Sequence, residues 1–172
     1  MFIKVVDYHQ NWSSDYQKEE HSIRTFLQEE LVNSFHIGST SVPGLKAKPI
    51  IDILLVVNDI NNLDSFFKQF QEIGYEVMGE FGITGRRYFR KGGDYRTHQI
   101  HAFQYSNIEE IERHLAFRDY LREHPEVCKK YGQLKNQLAK KYPNDIEGYG
   151  DGKNDFVKNV EKDAIKWYWT IR

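Results

Sequence analysis

The sequence has little cysteine, no excess of either charge and no long hydrophobic run. The single cysteine among 172 residues excludes an internal disulfide and any zinc or iron–sulfur site built on several cysteines. The 24 basic and 25 acidic residues give a formal net charge of −1, which excludes a nucleic-acid binder held by bulk charge alone. No stretch approaches the ~18 apolar residues needed to span a bilayer. We therefore expect a soluble cytoplasmic protein without a membrane partner.

Aromatic residues, in contrast, are abundant. Eleven Tyr, eleven Phe and three Trp contribute to a hydrophobic content of 40%, which is enough to build a core and argues against disorder. The length fits one domain, since domains usually take ~100–200 residues, and no linker or repeat divides the chain. We expect one domain over residues 1–172, with an α/β core over 1–105 and a helical C-terminal portion over 106–172.

The hydrophobic periodicity predicts the element order α-β-β-α-β-β-β followed by three helices. Segment 49–57 is β-branched and continuously apolar, which is typical of a central buried strand. Glycine pairs separate three later strands that are expected to form antiparallel hairpins. Ser106 and Glu109 form a capping-box pattern, and the glycine-rich segment 148–152 is interpreted as a loop. This order favours an α+β fold with a mixed or antiparallel sheet.

Asp52 stands out because it is the one charged residue within the apolar segment 49–57. A buried carboxylate is costly unless it is paired or bound to a metal, so the position indicates a functional site. Gly38-Ser39 precedes it at the end of a predicted strand, where backbone amides and a hydroxyl suit a phosphate. The structural alternative is an ion pair with a nearby cation: Lys46, Lys48 or Arg87.

Two histidines lie on a predicted strand in the segment His98-Gln-Ile-His101. Alternation along a strand places His101 with Gln99 on one face and His98 on the other, so the pair does not chelate one metal. We predict that His101 faces a pocket shared by Asp52 and Ser39, as a ligand or an acid–base group. The alternative is a histidine satisfied within the core.

Three other features have simpler interpretations beside functional ones. The basic strand 86–91 either contacts phosphates or RNA, or is a hairpin edge protected by its charge. Segment 147–154 is not a Walker P-loop, because Glu147 and Asn154 replace the required glycine and hydroxyl residue. Asn154 is instead a candidate helix N-cap where an anion could lie, and Cys128 is interpreted as a packing residue.

Several stretches, taken in order, resemble the GrpB family, whose biochemical role is not established. The main one runs from His36 to Ile53 and reads His-Ile-Gly-Ser-Thr-Ser-Val-Pro-Gly-Leu-Lys-Ala-Lys-Pro-Ile-Ile-Asp-Ile. Later stretches that fit the same family are 97–101, 117–122, 131–135 and 149–156. The resemblance covers nearly the whole chain. The family is in turn similar to the nucleotidyltransferase superfamily, in which a Gly-Ser turn holds a nucleoside triphosphate and an Asp-x-Asp strand binds divalent metal.

Residue by residue, the resemblance implies that Gly38 and Ser39 form the phosphate turn and that Asp52 is the first metal carboxylate. The second carboxylate of Asp-x-Asp would stand at position 54, which is Leu54. Two-metal transfer needs several anionic ligands. Either His101 completes a different metal site with another acidic residue, or the domain has lost transfer chemistry. The candidate acidic residues are Glu80 and Asp94.

The resemblance thus implies a nucleotidyltransferase-like protein that binds a nucleotide or another phosphorylated small molecule. If it is an enzyme, we expect metal-dependent nucleotidyl or phosphoryl transfer with Mg²⁺, Mn²⁺ or Zn²⁺, with Asp52 and His101 as catalytic residues and metal ligands. The phosphate-binding residues would be Gly38, Ser39, Lys48, Arg87 and Lys153. The alternative is a catalytically inactive scaffold for a partner protein. A partner in coenzyme A metabolism is implied because some members are fused to a dephospho-CoA kinase domain, whereas a nucleic-acid partner is not expected.

Overall fold

A five-stranded mixed sheet lies at the centre of residues 2–171, the part of the chain that the computed structural model describes. The strand order is β1-β2-β5-β4-β3, with β2 and β5 parallel and the other neighbouring pairs antiparallel. The strands are β1 (Leu31–Ile37), β2 (Ile51–Val57), β3 (Tyr75–Val77), β4 (Arg86–Lys91) and β5 (His98–Gln104). The predicted fold class, an α+β chain with a mixed sheet and flanking helices, is confirmed.

Helices cover both faces of this sheet. The first three pack with one face in a cluster that includes Ile23, Leu55 and Phe70. On the other face, residues of α4 such as Leu115 pack against Leu54. In chain order the helices are α1 (Asn11–Leu27), α2 (Ile60–Leu63), α3 (Phe67–Glu72), α4 (Ile108–Glu123), α5 (Pro125–Lys141) and α6 (Ile146–Thr170). None of them, within residues 2–171, has the length and apolarity that a bilayer span requires.

Strand β2 is buried from both sides, which explains its unbroken apolar sequence. Ile53 and Leu55 join the cluster under α1 and α3. Asp52, Leu54 and Val56 alternate with them and project toward the face that α4 covers, where Leu54 is 0% exposed. Asp52 therefore begins a side-chain row that becomes fully apolar two residues later.

The C-terminal helices also pack against the loop between β1 and β2. Val42 and Leu45 of this loop share a buried cluster with Tyr131 of α5 and Val160 of α6. The N-terminal segment reinforces the arrangement, since the Ile3 amide donates to the carbonyl of Pro143, just after α5, at 2.8 Å. Two helices are thereby held beside the loop that leads into β2.

The predicted loop over residues 148–152 is wrong, because these residues form the first turns of α6. The Asp145 side chain accepts from the Gly148 amide at 3.0 Å, so the helix is capped well before the predicted cap at Asn154. The glycines permit close packing rather than a turn. A Cβ on Gly152 would lie 2.5 Å from Cδ2 of Leu138 in α5.

The predicted capping box at Ser106 is also wrong. Helix α4 begins at Ile108 after Asn107, and the Ser106 hydroxyl instead accepts from the Gln104 amide at 3.0 Å. The second helix of the predicted order is divided into α2 and α3 by a 3₁₀ turn at Asp64–Phe66. The sequence patterns located these elements but not their ends.

Two of the glycines in α6, Gly150 and Gly152, provide a matched test of the helix. Gly150→Ala should stabilise the protein by up to about 1 kcal/mol, because alanine favours a helix interior and nothing lies within 4 Å of the new Cβ. Gly152→Ala should be less stable than Gly150→Ala, since its Cβ meets Leu138. Urea denaturation of both variants measures the difference, and a loss of stability in Gly150→Ala would contradict a helical segment.

Candidate functional site

The turn after β1 is shaped by the close approach of Gly38 to Asp52. Gly38 has φ +72°, a conformation that favours glycine. A Cβ at this position would lie 2.6 Å from Oδ2 of Asp52. The last residue of β1, Ile37, pairs directly with Asp52, which brings the turn over the carboxylate. Position 38 must therefore be glycine for the strand end to close over Asp52.

A buried hydrogen-bond chain anchors this turn. The Thr40 hydroxyl donates to the Ile50 carbonyl at 3.0 Å and therefore accepts from His36 Nε2, also at 3.0 Å. Burial lowers the pKa of His36 to about 4, so the ring stays neutral and keeps this bond. Arg122 of α4 donates two hydrogen bonds to the Ser41 carbonyl, at 3.0 and 2.8 Å. His36 is thus a positioning residue. It lies within the sequence motif, but no role was predicted for it.

Asp52 accepts hydrogen bonds from two neighbours on β5. His101 Nε2 lies 3.2 Å from Oδ1 of Asp52. With its amide nitrogen turned toward Asp52, Gln99 donates to the same oxygen at 3.0 Å and its own oxygen accepts from Arg96 at 3.2 Å. The parallel register places Gln99 beside Asp52 and His101 two residues further on the same face. These contacts stabilise a carboxylate that would otherwise be isolated in the strand.

Arg86 determines which nitrogen of His101 carries the proton. The guanidinium is 7% exposed and donates to the carbonyls of Glu80 and Phe81, while Nη1 lies 3.3 Å from His101 Nδ1. A guanidinium can only donate, so Nδ1 accepts and Nε2 carries the hydrogen that is directed at Asp52.

The prediction that His101 and not His98 lies on the face of Asp52 is confirmed, although His101 is not among the residues that line the cavity shared by Asp52 and Ser39. His101 faces Asp52, whereas His98 lies on the opposite face, 3.8 Å from Glu19. The roles assigned to His101 as a catalytic group and metal ligand stay predictions.

In front of Asp52 lies a cavity of about 100 Å³ with an unusual concentration of lysines. At the ~30 Å³ that a water molecule occupies in the liquid, it has room for a small anion of a few heavy atoms. It is lined by Ser39, Lys48, Ile50, Asp52, Gln99, Lys135, Tyr149 and Lys153. We call Lys48, Lys135 and Lys153 the lysine cluster. No ion pair joins Asp52 to these lysines in residues 2–171, where its salt-bridge partner is His101.

Lys135 is the most buried member of the lysine cluster. It is 2% exposed, and within residues 2–171 its Nζ has no hydrogen-bond partner. The ring of Tyr131 lies 4.4 Å from Nζ, a cation–π contact that offsets only part of the lost hydration. Burial and then the neighbouring Lys153 charge lower the pKa of Lys135 well below its usual value. The lowered pKa favours the neutral amine in the ligand-free cavity, so an anion that enters would bind together with a proton on Nζ.

The other two lysines lie on either side of one tyrosine. Nζ of Lys48 is 5.1 Å and Nζ of Lys153 is 5.2 Å from the ring centre of Tyr149. Burial and then repulsion by Lys153 lower the pKa of Lys48 to about 8, while burial also lowers that of Lys153. Asp52 opposes these shifts in all three lysines. The positive charge of the cluster is therefore only partly balanced by the protein.

The structure brings most of the sequence-predicted site residues together around Asp52, with Arg87 as the exception. Ser39, Lys48 and Lys153 line the cavity with Asp52. Arg87 does not, since it lies on the opposite sheet face and binds Asp64 at 2.7 Å. Arg87 is paired with Ala102, the residue after His101, so strand alternation points its side chain away from the face that carries His101 and Asp52. Lys46 is likewise engaged elsewhere, in an ion pair with Asp7.

Lys135 ends the stretch 131–135 that resembles the family, but no role was inferred for it from the sequence. It lies four residues after Tyr131 and three before Leu138, both of which are buried. These spacings place all three on one face of α5. A lysine in register with an inward-facing stripe was the signal in the sequence.

The donor set does not fit a divalent metal held by the protein. Asp52 supplies one carboxylate, and His101 presents an N–H to it rather than a lone pair. No group of three His, Cys, Asp or Glu side chains suited to a metal occurs between residues 2 and 171. Glu80 accepts from the Gly85 amide at 2.7 Å, and Asp94 lines the adjoining cleft rather than the cavity itself. Mg²⁺ prefers several oxygen ligands, which this site does not offer.

Gly38→Ala should destabilise the protein through both backbone strain and the contact with Asp52. Backbone strain of this kind costs of order 1–3 kcal/mol, and the new Cβ would lie 2.6 Å from Oδ2. Gly44→Ala is the matched control, because Gly44 has φ +84° but nothing within 4 Å of a new Cβ. Denaturant titrations should show the larger loss in Gly38→Ala. Equal losses of stability in the two variants would show that the close contact between position 38 and Asp52 does not contribute to the destabilisation.

Comparisons with known proteins agree on one family. A model described as GrpB protein matches residues 2–163. The UPF0157 protein YqkA of Bacillus subtilis is 42% identical over 165 residues, which cover 96% of this chain and 48% of that protein. This chain therefore spans about half the length of that relative. The glutamate-rich protein GrpB of Alkalihalophilus pseudofirmus is 35% identical, with 91% of this chain and 92% of the relative covered.

The solved structures include a similar one from the same family. The crystal structure of the conserved protein GrpB from Enterococcus faecalis matches with a TM-score of 0.94 and 48% identity, covering 96% of this chain and 99% of that one. A structure of Cid1 in complex with its short product ApU matches with a TM-score of 0.49 and 12% identity over 86% of this chain and 48% of that one, which is too weak to carry an argument. The family model and these relatives place this chain in the GrpB family.

Proposed function

We propose that this protein binds a phosphorylated small molecule, with a phosphate group in the cavity between Asp52 and the lysine cluster. The observation that carries the proposal is the buried Lys135 amine, which is 2% exposed and has no hydrogen-bond partner in residues 2–171. Charging such a group inside the protein costs several kcal/mol unless a counter-charge is supplied. A phosphate in contact with it would supply both charge and acceptor oxygens.

A second cleft adjoins the cavity and supports a ligand larger than phosphate itself. It has a volume of about 500 Å³ and shares Lys48 and Ile50 with the cavity, within the range of ~300–1,000 Å³ that is usual for small-molecule sites. Tyr95, 89% exposed, and Arg96 also line it. An aromatic group such as a nucleobase could stack on Tyr95 while its phosphate reaches the lysine cluster. We therefore favour a nucleotide as the ligand.

The alternative is a scaffold that keeps this fold for a partner protein and performs no chemistry. Leu54 favours it, because the position of a second metal carboxylate is occupied by a side chain that is 0% exposed within the apolar layer. The scaffold hypothesis, however, gives no reason for placing three lysines around one cavity. Binding measurements separate the two hypotheses.

The ligand-free protein should become more stable as pH rises above neutrality. Each lysine of the cluster has a lowered pKa. The folded state therefore binds fewer protons than the unfolded state up to pH ~10.4, the ordinary pKa of lysine. For each lysine, stability rises with pH between its pKa in the folded protein, which is about 8 for Lys48, and its pKa of ~10.4 in the unfolded chain. Lys135→Met should be more stable than wild type at pH 7 and show a smaller rise to pH 10 in denaturant titrations.

Lys130→Met is the control for this measurement, since Lys130 is exposed on the same helix and carries the same charge. It should leave both the stability at pH 7 and the rise toward pH 10 close to those of wild type. A Lys135→Met variant that is less stable at pH 7 would contradict an unsatisfied ammonium.

Pyrophosphate and AMP should raise the melting temperature of the wild type. A ligand at a hundredfold excess over its Kd adds about 2.7 kcal/mol, which corresponds to roughly 5–11 °C for a domain of this size. Lys135→Met should lose this shift because it removes the buried cation, whereas Lys130→Met should keep it. Isothermal titration calorimetry of the same variants gives the affinities. Equal shifts in wild type and Lys135→Met would place the anion elsewhere.

A further inference from the structure

We propose that the lysine cluster takes the place of divalent metal ions at this site, so that the protein binds the free phosphate anion rather than its metal complex. The inference rests on the proposed phosphate-binding function and specifies the form of the ligand. In a metal-dependent site the protein presents carboxylates and the cation bridges them to the phosphate. Here Lys48, Lys135 and Lys153 would contact the phosphate directly.

The first observation is the balance of charge around the cavity. Three lysines and one carboxylate line it, and Asp52 forms no ion pair with any of these lysines among the described residues. Their ammonium groups are therefore available to an incoming anion. A divalent cation at the same place would add two positive charges beside three amines, with a single carboxylate as its counter-charge.

The second observation is that one oxygen of Asp52 is already hydrogen-bonded and the other lies against the Gly38 turn. Oδ1 accepts from His101 at 3.2 Å and, in the hydrogen-bonded orientation of the Gln99 amide, from that nitrogen at 3.0 Å. Oδ2 lies against Gly38, at 2.6 Å from where a Cβ would be. A metal bound at Oδ1 would have to displace these hydrogen bonds, and one bound at Oδ2 would have to fit beside the Gly38 turn.

The third observation is the fixed orientation of His101. Arg86, itself held by the carbonyls of Glu80 and Phe81, donates to Nδ1 and leaves the hydrogen on Nε2. His101 could ligate a metal beside Asp52 only by moving that hydrogen to Nδ1, where it would face a guanidinium that cannot accept it. His101 is therefore a positioning residue for Asp52 and is unsuited to be its co-ligand.

In this arrangement Asp52 has a role that requires no metal. It lies among the three lysines without pairing to any one of them, and its charge favours the protonated form of each. Asp52 is thereby the counter-charge that the ligand-free cavity offers to the lysines, and an incoming anion competes with it for the same ammonium groups. The anion then replaces Asp52 as the main counter-charge of the cluster.

The test is calorimetric titration of pyrophosphate into the protein in EDTA and again in excess Mg²⁺. We expect binding in EDTA and a severalfold weaker apparent affinity in Mg²⁺, because the cation sequesters the charge that the lysines bind. Inorganic phosphate, which binds Mg²⁺ less strongly, should show a smaller difference. Binding of pyrophosphate only in Mg²⁺, or at least tenfold more tightly there, would overturn the inference and leave the phosphate-binding function intact.

Two variants make the test independent of the metal titration. Asp52→Asn keeps an oxygen acceptor for His101, and in a lysine-based site it should bind pyrophosphate in EDTA as tightly as wild type or more tightly. Lys135→Met should bind at least tenfold more weakly. Loss of binding in Asp52→Asn, measured on protein with wild-type circular dichroism, would overturn the inference. No pyrophosphate binding by the wild type under either condition would overturn the proposed function and this inference together.

Discussion

A single carboxylate within a buried strand is the constraint on which the site depends. Asp52 begins a side-chain row that continues with Leu54 and Val56 in the apolar layer under α4. Such a group is tolerated only if neighbouring elements satisfy it. The neighbouring strand β5 supplies His101 and Gln99, and the end of β1 supplies a glycine that permits close approach. The parallel pairing of β2 with β5 is what brings these donors into register.

The cavity itself requires the helical C-terminal portion to pack against the loop before β2. Lys135 and Lys153 come from α5 and α6, whereas Lys48 and Asp52 come from the loop and strand. Gly152 allows α6 to approach Leu138 of α5, and the shared cluster around Tyr131 fixes both helices against Val42 and Leu45. The three lysines are thus distant in sequence and adjacent only after the helices have packed.

Much of the sheet and part of the site could be predicted from the sequence. The apolar run around Asp52 identified a buried interior strand, and strand alternation separated His101 from His98 because its period of two is rigid. Arg87 was wrongly predicted to lie near Asp52. Strand alternation could have excluded it only if the pairing of β4 with β5 had been known, because that pairing sets Arg87 opposite Ala102. Lys135 was missed because an isolated lysine on a helix is usually solvated. Only the packing of α5 onto the loop shows that it is buried, and a single sequence contains no direct record of that long-range contact.

The assembly of the cavity from four separate stretches of chain has a consequence for its dynamics. A bound anion would form contacts to the loop before β2, to α5 and to α6 at once, and so would act as a cross-link between the sheet and the helical portion. Local opening of the C-terminal helices and release of the ligand would then be one event rather than two. Binding in the cavity would therefore increase the hydrogen-exchange protection of backbone amides along α5 and α6, including amides far from the cavity.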